Sequence, residues 1–360
     1  MSTNEENADI VRFALVGCGN IGEKYLEVIH NNPRAQMVAV VDEQPLENLK
    51  NFVGNLPYFR SLEDFFNSDI QADVVTIATP NYLHAKQSIS CLEKGFHVVI
   101  EKPLALKLKD ALAVQKVEKK TGKKVFVVLQ NRYSELSQWA KNLVDSGILG
   151  KIFMVQINCF WNRDERYYLT SNWKGDLEKD GGSLFTQYSH FLDIMYWLFG
   201  DIQNIKGDFF DFSHQHITDF EDSGIITFDF VNGGSGVFNF STAAWDQNME
   251  SSLTILAENG AVKIAGQYMQ RLEYCHIKNY KCPKIEEKNA FNDYGNYCGS
   301  ASNHSYLIDN VIDVLKNNAE ISVSSQCGVD LVRVIERIYT FRKDLIKIKQ
   351  GKLTREEMDF

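Results

Sequence analysis

The chain has 360 residues, of which 44% are hydrophobic and 24% are charged, enough to bury a sizeable core and to form two domains. Its 38 Lys and Arg residues against 47 Asp and Glu residues leave a formal net charge of −9, which argues against a general nucleic-acid-binding protein. No apolar run reaches the length of a membrane span, and the polar, acidic start "MSTNEENADI" is unlike a signal peptide. We therefore expect a cytoplasmic protein without nucleic-acid or membrane partners.

Seven cysteines are scattered along the chain without a CxxC pair. This pattern argues against a structural zinc site and against a disulfide framework, so we expect ordinary thiols in a reducing compartment and no metal. The cysteines are Cys18, Cys91, Cys159, Cys275, Cys282, Cys298 and Cys327.

The first 130 or so residues alternate apolar runs with helical stretches. Strands that are apolar throughout and are separated by helices predict a parallel sheet with both faces covered. The predicted strands are "RFALVGCG", "QMVAVVD", "ADVVTIATP", "HVVIEKP" and "KVFVVLQN"; the predicted helices are Ile21 to Asn31, "SLEDFFNS", "HAKQSISCLEKG" and "LKDALAVQKVEKKTG".

The pattern changes after about Arg132. A helix from Leu136 to Ser146 and the alternating strand "KIFMVQINCFW" precede the stretch "GGSLFTQYSHFLD", which predicts a helix running through Phe199. Later runs alternate at period two between turns such as Asn232-Gly233-Gly234, which predicts a mostly antiparallel sheet with one face solvated or paired. Two helices close the chain.

The segment "GCGNIG" places Gly17, Gly19 and Gly22 between a strand and a helix. Such glycines allow a tight turn and a close approach of a pyrophosphate, which the helix N-terminus then binds. Asp42 ends the second strand, where a carboxylate accepts hydrogen bonds from ribose hydroxyls and repels a 2′-phosphate. We therefore predict NAD rather than NADP as the cofactor.

Two further loops follow predicted strands, at the sheet edge where open α/β sheets bind ligands. In the second loop, Pro103 favours an extended backbone at Lys102, which allows the lysine to present its ammonium group at that edge; a solvated surface lysine is the alternative. The other residues that we assign to the cofactor are Asn20, Ile21, Thr79, Pro80, Asn81, His84, Glu101, Lys102 itself and Gln130.

In "GGSLFTQYSHFLD", helical spacing places an apolar face beside a stripe formed by Ser183, Thr186, Gln187, His190 and Asp193. A histidine in such a stripe is either a satisfied structural residue or the proton carrier of an active site.

Taken together, "RFALVGCGNIG", "ATPNYLH", "VIEKPLAL" and the Gly-Gly opening of the helix with His190 resemble the Gfo/Idh/MocA oxidoreductase family over nearly the whole chain. The segments "FWNRDERYY" and "DGGSLFTQYSHFLDIMYWLFGD" look like its branch that oxidises the 3-hydroxyl of UDP-N-acetylglucosaminuronic acid (UDP-GlcNAcA) for bacterial surface polysaccharides.

The resemblance implies an α/β fold class. An N-terminal Rossmann domain would span residues 1–131. A substrate-binding domain with an open, mostly antiparallel sheet would span 132–360, and whether the last helices pack back on the first domain stays open. It also implies homo-oligomers, dimers or tetramers, that pair through this sheet.

The resemblance further implies hydride transfer between NAD and a carbohydrate alcohol. His190 and Lys102 match the family's catalytic histidine and lysine. We assign His190 as the general base and Lys102 as the group that stabilises the alkoxide, although their roles are reversed if the lysine is neutral. Many relatives have aspartate where this chain has Thr186, which we assign with Gln187 to orienting the imidazole or to touching the sugar.

A UDP-uronate carries a diphosphate and a carboxylate, so its pocket needs positive charge and hydrogen-bond donors. Each candidate is alternatively a solvated surface residue. The candidates are Asn131, Arg132, Arg163, Arg166, Tyr167, Tyr168, Trp173, Lys174 and, for the nucleotide end, His304.

Two rival functions remain. One is another sugar or inositol dehydrogenase of the same family, which a substrate screen would distinguish. The other is a non-catalytic sensor of NAD(H) or of a nucleotide sugar, which needs the glycine loop but has no need of Lys102 and His190 together.

Overall fold

The computed structural model describes residues 10–285, 291–293 and 298–349. The chain divides into two compact units. The first contains Met1–Leu129 and Asn303–Val332, and the second contains Gln130–Ser302 and Arg333–Phe360. The division in the middle of the chain therefore falls directly after the last strand of the first sheet.

The described strands and helices follow in chain order. The strands are β1 (Val11–Val16), β2 (Ala35–Val41), β3 (Tyr58–Phe59), β4 (Val74–Ile77), β5 (His97–Ile100), β6 (Val125–Val127), β7 (Ile152–Phe160), β8 (Ile202–Phe210), β9 (Ser223–Phe230), β10 (Ser235–Ser241), β11 (Glu250–Ala257), β12 (Gly260–Ala265), β13 (Arg271–Ile277), β14 (Phe291–Asp293) and β15 (Cys298–Ala301). The α-helices are α1 (Asn20–His30), α2 (Leu46–Val53), α3 (Leu62–Phe66), α4 (His84–Glu93), α5 (Leu108–Thr121), α6 (Glu135–Asp145), α7 (Glu165–Tyr168), α8 (Leu177–Asp180), α9 (Ser183–Thr186), α10 (Ser189–Phe199), α11 (His304–Asn317), α12 (Ser325–Tyr339) and α13 (Lys343–Lys349).

The sheet of the first unit has the strand order β3-β2-β1-β4-β5-β6, and every neighbouring pair is parallel. The predicted parallel sheet is confirmed. All residues of β4 and β6 are buried, as expected for strands covered on both faces. The two-residue strand β3 was not predicted, because it is too short to show a pattern. Since parallel strands end at the same edge, the loops after β1, β4 and β5 share that edge.

The late segment 303–332 completes the first unit. The backbone amide of Val127 in β6 donates to the carbonyl oxygen of Val323 at 3.0 Å. A Cβ added at Gly328 would lie 2.9 Å from side-chain atoms of Leu104, so α12 packs closely on the chain that follows β5.

The sheet of the second unit has the order β13-β12-β11-β7-β10-β9-β8. The β7–β10 pair is parallel and the others are antiparallel, which confirms the predicted mostly antiparallel sheet. Along β7, Val155, Ile157 and Cys159 are buried, whereas Met154 on the other face is 51% exposed. One face therefore packs on the core and the other is open.

The predicted continuous helix from the Gly-Gly pair to Phe199 is wrong. Helices α9 and α10 are separated at Gln187 and Tyr188, and the backbone amides of both residues donate to the carbonyl oxygen of Ser183. Four residues of the polar stripe, Ser183, Gln187, His190 and Asp193, are buried. Their polar groups therefore depend on internal partners, which periodicity cannot show.

The expectation that every cysteine is a thiol is wrong for one pair. Cys275 and Cys282 form a disulfide, with their Cα atoms 6.1 Å apart and seven residues apart in the chain. Cys18, Cys91, Cys159 and Cys327 take part in no disulfide, and the side chain of Cys298 lies outside the described residues. The pair was missed because its two members have no motif spacing and meet only through the chain reversal after β13.

Within residues 10–285, 291–293 and 298–349, no helix combines the length and the hydropathy needed to cross a bilayer. In the same residues, no group of three or more His, Cys, Asp or Glu side chains is arranged to hold a metal ion.

Candidate active site

The loop between β1 and α1 has the shape of a phosphate-binding turn. Gly17 has φ +97°, and a Cβ there would lie 2.7 Å from the carbonyl oxygen of Ala78. Gly19 is the N-cap of α1, and a Cβ there would meet no atom of the described residues within 4 Å. The first amides of α1, which begins at Asn20 and Ile21, have no partner within the helix and favour an anion. The open space at Gly19 therefore fits a dinucleotide pyrophosphate.

Asp42 lies beside this loop. Its Oδ2 accepts a hydrogen bond from the backbone amide of Cys18 at 2.7 Å, and its Oδ1 accepts from the amide of Gln44 at 2.8 Å. Both bonds fix the carboxylate next to the glycine turn, which is where a ribose acceptor is needed. Gly22 is buried in α1, which allows that helix to pack closely.

His84 connects the loop after β4 with the loop after β5. Its Nδ1 lies 2.7 Å from the carbonyl oxygen of Pro103, and its Nε2 lies 2.7 Å from that of Thr79. Burial lowers the pKa of His84, and the two carbonyl contacts partly oppose this shift. The imidazole thus holds the two loops together. Pro80 and the buried Asn81 follow Thr79 in the first of these loops.

Glu101 is a buried carboxylate directly before Lys102. Its Oε1 accepts a hydrogen bond from the hydroxyl of Tyr25 in α1 at 2.9 Å and lies 3.5 Å from Nε2 of His304. Burial raises the pKa of Glu101, but His304, Lys102 and Tyr25 outweigh it and hold the pKa below its ordinary value. Glu101 therefore joins α1 to the loop that carries Lys102.

His304, which we assigned to the nucleotide end, is fully buried in the first unit. Its ring packs edge-on against Tyr25 with centroids 5.4 Å apart. Its neighbours are thus the residues that support Lys102. Lys102 itself is half-buried and is joined to Pro103 by a cis peptide bond.

His190 is the second residue of α10 and is 2% exposed. Just before it, Gln187 accepts a hydrogen bond from Nε of Arg163 at 2.8 Å. Arg163 is also buried, donates through Nη1 to Asn248 at 3.1 Å, and lies over the ring of Trp161 at 4.8 Å. The structure therefore brings the predicted residues Arg163 and Gln187 together.

The chain before His190 is held by the buried carboxylate of Glu221. Its Oε1 accepts from the backbone amide and hydroxyl of Ser183 and from the hydroxyl of Tyr339, at 3.1, 2.6 and 2.6 Å. Its Oε2 accepts from Nη1 of Arg342 at 2.7 Å. Tyr339 also accepts from the amide of Leu184 at 2.8 Å. These contacts satisfy the first amides of α9.

Arg132 and Asp193 form a buried two-pronged ion pair. Nε of Arg132 donates to Oδ2 of Asp193 at 2.8 Å, and Nη2 donates to Oδ1 at 2.5 Å. Burial raises the pKa of Asp193, and Arg132 opposes that shift. A substrate contact from Arg132 would therefore have to compete with this pair. Gln130 and Asn131 precede it in a buried 3₁₀ turn.

The remaining substrate candidates lie in α7 and in the segment between α7 and α8. Tyr168 is buried against Tyr167 and Phe220, which gives it a core role. Lys174 has its Nζ 4.1 Å from the ring centroid of Tyr167, and burial lowers its pKa to about 8. Trp173 is half-buried. Arg166, on α7, is half-exposed and forms ion pairs with Asp164 and Asp246.

Five residues at the site were missed by the sequence reasoning. Each is a polar residue whose partner lies elsewhere in the chain, so spacing carried no signal for the contact. Only the buried carboxylates could have been found from the sequence. Burying an Asp or Glu within an apolar stretch costs free energy unless its charge is paired. The missed residues are Tyr25, Asp180, Glu221, Tyr339 and Arg342.

Two family models match the chain. One, described as the oxidoreductase family with an NAD-binding Rossmann fold, matches residues 11–129, and the GFO/IDH/MocA C-terminal domain matches residues 137–263. The chain therefore belongs to the Gfo/Idh/MocA oxidoreductase family. The predicted family, its NAD-binding Rossmann domain and its oxidoreductase class are confirmed.

The chain is also similar to two solved WlbA dehydrogenases, each in complex with NADH and UDP-GlcNAcA. The enzyme from Bordetella pertussis is 30% identical, with a TM-score of 0.82 over 93% of this chain and 97% of that one. The enzyme from Chromobacterium violaceum is 30% identical, with a TM-score of 0.84 over 93% of this chain and 94% of that one.

Curated relatives match over shorter segments. Inositol 2-dehydrogenase from Rhodococcus erythropolis is 34% identical over 158 residues, which are 43% of this chain and 44% of that protein. An uncharacterised oxidoreductase from Synechocystis is 25% identical over 198 residues, 54% of this chain and 53% of that protein. The chain thus spans about half the length of these two relatives.

Proposed function

We propose that this protein oxidises the 3-hydroxyl of a UDP-N-acetylated uronic acid with NAD, in a cytoplasmic pathway of surface-polysaccharide synthesis such as O-antigen assembly. The observation that carries the proposal is the similarity, over 93% of the chain, to two dehydrogenases whose structures contain NADH and UDP-GlcNAcA. The presence of both Lys102 and His190 supports it further.

NAD, when bound, supplies the hydride acceptor for the hydrogen on the alcohol carbon. Loss of that hydride requires loss of a proton from the alcohol oxygen, which leaves a ketone. We assign the proton acceptor to His190, because a neutral imidazole has a pKa near ambient pH. Lys102 as an ammonium group stabilises negative charge on the same oxygen. If Lys102 is neutral, the two roles are exchanged.

Substrate recognition falls to polar residues of the second unit. Lys174 and Arg163 are cations near the Tyr167 ring, at 4.1 and 5.3 Å from its centroid, and they suit a carboxylate or a diphosphate. Thr186 and Gln187 lie on the segment before His190. Further candidates are Asn131, Arg132, Tyr168 and Trp173 of the second unit and His304 of the first unit. The sugar would compete with Asp193 for the guanidinium group of Arg132.

The open face of the second sheet suits a homo-oligomer. Met154, Ile225 and Leu256 are 51%, 49% and 43% exposed on this face, where Leu256 pairs with Met154 across the strands. Between them, Asn158 accepts a hydrogen bond from the side-chain amide of Asn239 at 2.9 Å. Apolar side chains around amide groups are suited to pairing with a second copy. Sedimentation of the purified protein tests for a dimer or a tetramer.

The function is tested by measuring NADH formation with UDP-GlcNAcA, UDP-N-acetylglucosamine, UDP-glucuronic acid, myo-inositol and glucose. We expect NADH formation with UDP-GlcNAcA and none with myo-inositol or glucose. The opposite preference would assign the chain to a sugar or inositol dehydrogenase of the same family, a candidate that the 34% identity to inositol 2-dehydrogenase favours. Binding of NAD and sugar without turnover would identify a sensor.

A further inference from the structure

Asp180 is a fully buried carboxylate directly before the Gly181–Gly182 turn. Its Oδ2 accepts a hydrogen bond from the backbone amide of Gly175 at 2.9 Å. The hydroxyl of Thr186 contacts its Oδ1 and lies 3.2 Å from its backbone oxygen. Asp180 is therefore bonded to the residue that lies four positions before His190.

Cationic groups and a backbone amide surround the carboxylate of Asp180. Lys174 and Arg342 are its cationic neighbours, and Asp180 acts to raise the pKa of each. The backbone amide of Gly175 donates a hydrogen bond to the carboxylate. In the contact with Thr186, the hydroxyl of Thr186 is the donor and the carboxylate oxygen of Asp180 is the acceptor.

A threonine hydroxyl has one proton and two lone pairs. When that proton points to Asp180, Thr186 Oγ1 can only accept hydrogen bonds from other groups. Thr186 is also half-buried, whereas every other residue from 181 to 190, all of them described, is buried. Among residues 181–190, Thr186 is therefore the most accessible, and its hydroxyl proton is directed to Asp180.

We propose that Asp180 is a positioning residue that acts through Thr186. By holding the hydroxyl proton, it fixes Thr186 Oγ1 as an acceptor for a hydroxyl group of the substrate. The inference rests on the proposed function and deepens it, because it makes this position selective for a sugar hydroxyl over a carbonyl or carboxylate oxygen.

The test is a double-mutant cycle on NADH formation with UDP-GlcNAcA. We expect Thr186→Ser to retain kcat/KM within about 3-fold and Thr186→Val to lose about 10-fold, the scale of one hydrogen bond. Asp180→Asn should lose about as much, because its amide donates to Thr186 and turns the hydroxyl proton outward. The double variant should be no worse than Thr186→Val, since both changes remove one interaction.

Separate measurements exclude a merely structural effect. The affinity for NAD should be unchanged in Asp180→Asn. Asp222→Asn is the matched control: Asp222 is a fully buried carboxylate that accepts from the hydroxyl of Ser223 at 2.7 Å, and its loss should lower the melting temperature without coupling to Thr186→Val. The proposal would be overturned if the losses of kcat/KM in Asp180→Asn and Thr186→Val multiply in the double variant. An unchanged kcat/KM in Asp180→Asn would also overturn it.

Failure of the proposed function is distinguishable from failure of this inference. A wild-type protein that neither binds nor oxidises UDP-GlcNAcA removes the proposed function. The same cycle is then measured on the free energy of unfolding. Coupling between positions 180 and 186 supports the hydrogen bond, and additive effects overturn it.

Discussion

The loop with Lys102 and the helix with His190 are held in place by different means. The loop follows a buried strand and is fixed at the sheet edge by His84, which contacts Thr79 and Pro103, and by Glu101, which accepts from Tyr25. The chain around His190 depends on three buried carboxylates, Asp180, Asp193 and Glu221. A loop such as that of Lys102 can thus be recognised from a local motif, whereas the helix with His190 needs charges from distant parts of the chain.

The largest expected effect comes from breaking the ion pair under the His190 helix. Asp193→Ala leaves Arg132 buried without its carboxylate, which should lower the free energy of unfolding by about 3–5 kcal/mol. Urea unfolding measures the loss. The control is Asp73→Ala, which removes the two-pronged pair with Arg12, where the side chains are 32% and 41% exposed. Asp73→Ala should lower the free energy of unfolding by about 1 kcal/mol. Equal losses in Asp73→Ala and Asp193→Ala would contradict the difference between the exposed and the buried ion pair.

Removing either side chain that we propose to be catalytic should affect turnover and not the fold. We expect His190→Ala and Lys102→Met each to lower kcat at least about 100-fold, the usual scale for acid–base catalysis. Fluorescence titration should show retained NAD binding. Lys109→Met, on the exposed side of α5, is the control and should have ordinary turnover. Near-normal turnover in His190→Ala would show that this histidine is structural.

A methyl group at Gly182 should disturb the Glu221 network. Its φ is +119°, and a Cβ would overlap Nη1 of Arg342 and lie 2.5 Å from the hydroxyl of Tyr339. Gly182→Ala should therefore cost at least about 2 kcal/mol of stability and also lower turnover. Gly233→Ala has the same backbone strain, with φ +98°, but open space around it, and should cost about 1 kcal/mol. Thermal unfolding of both variants measures the difference.

The smallest effect concerns pH. Burial lowers the pKa of Lys174 from 10.5 to about 8. Between these values the unfolded chain binds more protons at this group than the folded chain, so its contribution makes stability rise with pH. Lys174→Met removes that contribution. The free energy of unfolding of the wild type, relative to the variant, should rise between about pH 7 and about pH 10. A difference that is flat with pH would contradict the burial of this ammonium group.

The Rossmann half was largely predictable from the sequence. Buried parallel strands have a continuous apolar pattern, and Gly17, Gly19 and Asp42 have a fixed order relative to them. The short strand β3 and the disulfide between Cys275 and Cys282 were missed, because neither has a pattern of its own along the chain.

The sequence by itself determined the fold class, the family and the NAD-binding domain, since hydrophobic periodicity and the glycine motif are local properties. Only the tertiary structure decided how the polar residues before His190 are satisfied. Thr186 bonds to Asp180, and Ser183 bonds to Glu221, which lies 38 residues away and also pairs with Arg342 a further 121 residues on. The physical reason is that a buried charge requires a partner, but folding and not spacing brings that partner to it.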